Sequence, residues 1–326
     1  MRTVRLPQRV RTAMTPPADD HRPALRVALG LAVPGTILLL AGRPDLLIYA
    51  VFGAVTGMYG RAESRRRRLE HQTQAAAILF TGVAIGVTLS SMGAPPRLLV
   101  LIAVVFAAAG SVLTDRLAIR PYGPFYGLFA LGAVATVPAG RTSPASALVI
   151  CGATALFSIA LGAADASAGP PRPTEPARQV PTRALRYGVA VAAAGTAGVF
   201  LGVDHANWAI AAAAGPLAAV TSDGRIRRGI HRLAGTLVGL GVAAALLIPH
   251  PDEYLLALAV MVLLFPTELF MTHHHAVALG FFTPLIMLMT DLAAPAEPLA
   301  LLTARGLDTV IGVAAAIAVT LLIRDG

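Results

Sequence analysis

Long apolar runs broken by short polar turns organise this chain from residue 24 to residue 323. A membrane-crossing helix needs about 20 mostly apolar residues. Twelve stretches fit: 24–41, 44–60, 73–92, 98–114, 122–138, 146–164, 184–202, 206–222, 232–249, 254–270, 275–291 and 300–323. Turns such as Gly42-Arg43-Pro44-Asp45 are short enough to make helical hairpins. The pattern predicts an all-α polytopic membrane protein with about twelve transmembrane helices.

Order along the chain adds an internal repeat. Ala24-Leu25-Arg26, Gly35-Thr36 and Gly42 recur without a gap as Ala184-Leu185-Arg186, Gly195-Thr196 and Gly202. Then Tyr49-Ala50 parallels Trp208-Ala209, Ala-Val-Thr at 54–56 parallels 219–221, and Gly60-Arg61 parallels Gly224-Arg225. Thr114-Asp115 parallels Thr267-Glu268. An even number of helices per unit makes both units enter the membrane in the same sense, a parallel repeat about the membrane normal. The expected organisation is a polar tail over 1–23, a six-helix unit over 24–164, a Pro-rich linker over 165–183 and a second six-helix unit over 184–326. Within the second unit, Arg232-x-x-Gly235-Thr236-x-x-Gly239 and Arg305-x-x-Asp308-Thr309-x-x-Gly312 echo one another from opposite sides of the membrane, as inverted copies would.

Composition agrees. The chain is 56% hydrophobic and 13% charged, with a mean hydropathy of +0.70, against about 25% charged residues in a soluble domain. The net charge of +9 comes from 26 arginines and no lysine. These arginines fall between apolar runs, not along one basic face, which argues against a nucleic-acid partner; the lipid bilayer is the expected surrounding. With the N-terminus in the cytoplasm, 22 of the 26 arginines lie inside and 4 (Arg43, Arg97, Arg141, Arg305) outside. The positive-inside rule favours that arrangement, with both termini cytoplasmic. Exclusive use of arginine suggests GC-rich coding and a bacterial plasma membrane. Cys151 is the sole cysteine and cannot form an internal disulfide.

Several residues could carry chemistry. Arg232, Thr236 and Gly239 share a helix face at i, i+4 and i+7. With Gly235 they read either as a packing stripe or as an anion-attracting inner mouth. Arg305 and Asp308 can pair across one helical turn, with Thr309 and Gly312 following; Asp308 reads as a proton-coupling carboxylate or as half of an interfacial pair. Asp115 and Glu268 read as repeat-related carboxylates facing water near helix ends, or as functional groups. Pro266 and Pro284, the latter after Thr283, mark either kinks or broken helices beside a cavity. Trp208 reads as an interfacial anchor, with substrate stacking as the alternative. His273-His274-His275 point about 100° apart on a helix, which disfavours a shared metal, and no metal or cofactor is expected. Phosphate loops, paired-histidine zinc motifs and nucleophile elbows are missing from the sequence, so the chain does not read as an enzyme.

Trp208-Ala209, the basic loop after it, the two Arg-led motifs and Phe282-Thr283-Pro284-Leu285 resemble the FUSC family, the fusaric-acid-resistance-like proteins and aromatic acid exporters. The likeness covers most of 184–323; in the first unit Arg68-Leu69-Glu70-His71-Gln72 stands where Arg232-Leu233-Ala234-Gly235-Thr236 stands later. The resemblance implies a secondary transporter that exports weak organic or aromatic acids, with a small organic anion as substrate. A scaffold or partner subunit without transport of its own is the rival expectation. A homo-oligomer is compatible with either.

Overall fold

The computed structural model describes residues 21–61, 63–165, 180–202 and 206–324. Most of the tail and linker expected from the sequence lies outside the described residues.

The described residues form twelve α-helices and two 3₁₀ turns, with no strand among them. The first six helices are α1 (His21–Leu40), α2 (Leu47–Ala54, flanked by 3₁₀ turns Pro44–Leu46 and Val55–Met58), α3 (Arg65–Ser91), α4 (Pro96–Arg116), α5 (Phe125–Ala135) and α6 (Pro144–Ala164). The others are α7 (Val180–Phe200), α8 (Ala206–Leu217), α9 (Ser222–Leu247), α10 (Glu253–Phe270), α11 (His275–Ala293) and α12 (Pro298–Leu322).

The helices follow the order of the apolar runs, but not always their lengths. Helix α9 begins ten residues before the run at 232, and α3 eight before the run at 73, because each starts with a polar, arginine-rich segment that hydropathy leaves out. Helix α7 opens at Val180, inside the expected linker. Among the described residues eight helices are long and apolar enough to cross a membrane, and the 21-residue α7 is not one of them. Three apolar runs are not full spans: α2 has 8 helical residues, α5 has 11 and α8 has 12. At 1.5 Å per residue even α8 reaches only about 18 Å, short of a hydrocarbon core of about 30 Å.

These short helices belong to the interior. Every residue of α2 is buried, and nearly every one of α5 and α8. A helix that is apolar on all sides suits such a place as well as it suits lipid, so hydropathy could not separate the two. Around them the long helices turn large side chains outward. Leu25, Leu29 and Ile37 on α1, Leu101 and Val105 on α4, and Leu237 and Val238 on α9 are all exposed. Such a continuous apolar exterior is suited to lipid and not to water.

Packing follows a swap. Helix α1 packs on α10, and α7 packs on α4. Likewise α3 packs on α5 and α6, as α9 does on α11 and α12, while α2 packs on α6 as α8 does on α12. Each of these contacts has its counterpart six helices further along the chain.

Small residues set the closest approaches. A Cβ on Gly82 of α3 would lie 2.3 Å from the Gly127 carbonyl of α5, and one on Gly235 of α9 would lie 2.4 Å from the Ala276 carbonyl of α11. In α12, a Cβ on Gly312 would meet the Ala209 carbonyl of α8 at 2.3 Å.

Candidate functional site

Helices α5, α8, α9 and α11 line a small cleft of about 80 Å³ toward the arginine-rich end of the bundle. The turn before α5 adds Tyr122, whose ring lies 5.3 Å from the Arg120 guanidinium and 5.2 Å from that of Arg183. The aromatic walls are Phe125, Tyr126 and Phe282, and the polar lining is Arg228, Arg232 and His275.

Arg232 is 2% exposed, and its guanidinium sits 5.2 Å above the Phe125 ring. Its Nε and Nη2 have no hydrogen-bond partner. A buried guanidinium that is not hydrogen-bonded is costly, and the cation–π contact recovers only about 2 kcal/mol or less of that cost. Gly215 of α8 makes room for this placement, since a Cβ there would fall 2.5 Å from Nη1 of Arg232.

Above the cleft the centre is closed by rings. Phe282 meets Tyr126 at 6.5 Å and Phe129 at 5.9 Å edge-on, and Phe129 meets Phe52 at 5.4 Å. The rings that wall the cleft thus belong to a larger aromatic cluster that reaches Phe52 of α2.

The other residues singled out from the sequence fall into separate groups. Gly235 and Gly239 face α11; the nearest atom to a Cβ on Gly239 is the Thr283 Cβ, at 2.6 Å. Their face is therefore a packing seam, and only Arg232 of that motif lines the cleft. Thr236 and Thr283 are buried there, with hydroxyls that have no partner. Helices α10 and α11 run unbroken through Pro266 and Pro284, so neither proline breaks its helix.

Arg305 and Asp308 lie deep in the bundle, not in an interfacial pair. Asp308 is 0% exposed, both its carboxylate oxygens lack a hydrogen-bond partner, and Arg305 sits 5.3 Å over the Trp208 ring. Trp208 is fully buried as well, so it is no interfacial anchor: α8 is an inner helix and its indole faces Arg305 of α12. The Thr309 hydroxyl donates to the Arg305 carbonyl at 2.8 Å, one turn back.

Asp115 and Glu268 do not face water. Asp115 of α4 pairs with Arg183 of α7 at 2.9 Å. Glu268 of α10 pairs with Arg61, after α2, at 3.4 Å, and Arg61 also donates to the Glu268 carbonyl at 2.8 Å. Each ion pair joins the first six helices to the last six, and the two cross in opposite senses. The three histidines separate: His273 contacts the Thr272 hydroxyl, the His274 ring lies beside Phe270, and His275 lines the cleft.

Arg68 does not occupy the place of Arg232. It lies in the first turn of α3, whereas Arg232 is about three turns into α9. By position within its helix Arg68 corresponds to Arg225. Sequence reading missed Arg228 and Gly215 and weighed His275 only with its two neighbours as a metal ligand; the i, i+4 spacing of Arg228 and Arg232 was the signal available for the first of them.

Fold and site together define a multi-pass helical membrane protein with a cation-lined, aromatic-walled cleft in its interior. Residues 189–319 match the family model described as fusaric acid resistance protein-like, the family that the second-half motifs resemble. The chain is also similar to the uncharacterized membrane protein YvaC of Bacillus subtilis (strain 168), at 28% identity over 109 residues. That match takes in 33% of this chain and 17% of the relative, well under two thirds of the relative's length. No solved structure matches the chain.

Proposed function

We propose that the protein is a secondary transporter that exports small organic acids, in anionic form, across a bacterial plasma membrane. The observation that carries this reading is the cleft: a buried guanidinium without a hydrogen-bond partner, walled by rings and opening toward the arginine-rich end. Arginines at that end raise the local anion concentration, and the positive-inside rule assigns that end to the cytoplasm. The cleft lies between α5 of the first six helices and α8, α9 and α11 of the last six. Rocking of two six-helix units about it gives alternating access, and the swap-related packing supports two such units. Asp308, buried and unpartnered, is the carboxylate whose protonation couples export to inward proton flow.

Purified protein in liposomes with an imposed pH gradient tests this reading. Wild type moves aromatic carboxylates, Arg232→Met does not, and Asp308→Asn loses the dependence on the gradient. The tightly packed aromatic cluster behind the cleft favours a second reading, a non-transporting membrane scaffold. Flux indistinguishable from empty liposomes across a panel of carboxylic acids would establish that reading instead.

A further inference from the structure

We propose that the cleft takes a dianion, a planar ring bearing two acidic groups; this rests on the reading of the cleft as the anion site. Arg228 and Arg232 stand one turn apart on α9, which sets them roughly 6 Å apart along the helix axis, and both line the cleft. The ion pairs among the described residues engage other arginines: Arg26, Arg43, Arg61, Arg66, Arg68 and Arg183. The nearby buried carboxylates, Asp115 and Glu268, are held by Arg183 and Arg61. His275 and His231 add no negative charge, and Arg232 and Arg228 both act on His275.

The lining thus carries two formal positive charges and no compensating acid. One carboxylate on a ligand neutralises the buried Arg232 and leaves the half-buried Arg228, one turn away, without a counter-charge. Two acidic groups, set across a ring, neutralise both. Phe125, Tyr126 and Phe282 supply faces and edges for that ring, which an inorganic dianion does not use.

Equilibrium binding to the full chain in lipid nanodiscs tests this with benzoate, benzene-1,3- and benzene-1,4-dicarboxylate, cyclohexane-1,4-dicarboxylate and sulfate. The aromatic dicarboxylates are expected to bind about tenfold or more tighter than benzoate, and Arg228→Gln is expected to close that gap. Benzoate binding as tightly as the dicarboxylates, with loss in Arg232→Met, overturns the dianion and leaves the transporter reading standing. Sulfate or the cyclohexane acid matching the aromatic dicarboxylates overturns the role of the ring. Absence of binding by every probe overturns both proposals.

Discussion

Arg68 and Arg232 are both buried arginines on helices of matching place, α3 and α9, and their surroundings are opposite. Arg68 donates from Nε to the Gly162 carbonyl at 3.0 Å, donates to the Asp165 carbonyl, and lies 3.6 Å from the Asp165 carboxylate, which Arg26 also grips at 2.7 Å. It staples α3 to the end of α6. Arg232 has two nitrogens without partners, a ring beneath it and a cleft beside it. Burial alone therefore does not mark a functional arginine. Arg68 is held by carbonyls and a carboxylate, whereas Arg232 combines open donors with a place in the cleft wall, and that combination is what the proposed anion site rests on.

The largest expected effect breaks the staple. Arg68→Met should destabilise the protein by roughly 3 kcal/mol, because it strips a buried anchor and leaves Asp165 with a weaker set of partners. Arg232→Met should be neutral or stabilising, since it removes a buried charge that nothing compensates. Thermal unfolding of both variants in detergent, without ligand, reads the difference directly.

Next in size are the two ion pairs that cross between the halves. Asp115→Asn takes the carboxylate from Arg183, whose side chain is 13% exposed, at an expected loss of roughly 2 kcal/mol. A double-mutant cycle with Arg183→Gln should show strong coupling, while Asp115→Asn combined with Glu268→Gln should lose more than either alone.

Gly312→Ala comes third. Its methyl would press on the α8 backbone, which cannot step aside, so a loss of about 1–3 kcal/mol is expected, seen as a lower unfolding midpoint. Gly215→Ala is the smallest and sharpest. Its methyl crowds the flexible end of Arg232 and makes ordinary contact with the Phe125 ring, so the midpoint should hardly move while anion affinity falls by about tenfold.

The sequence made the elements legible through the lengths of apolar runs, and made Arg232 stand out through its i, i+4 and i+7 neighbours. It could not separate the inner helices from lipid-facing ones. Ala211 to Ala214 of α8 and Leu47 to Ala54 of α2 are apolar on every side, and the same pattern serves a membrane span and a buried core helix. Polar helix starts were lost for the opposite reason: Arg225, Arg227, Arg228 and His231 interrupt hydropathy without interrupting the helix. The crossed pairs Asp115–Arg183 and Glu268–Arg61 were out of reach as well, because periodicity reports a residue's face and not its distant partner.

The most direct test is the unfolding midpoint of wild type and Arg232→Met in nanodiscs, with and without a saturating aromatic carboxylate. The account predicts that the ligand raises the wild-type midpoint and leaves the variant unmoved, since only a ligand of the folded state stabilises it. Equal shifts in both proteins, or a variant whose midpoint falls as far as that of Arg68→Met, would contradict it.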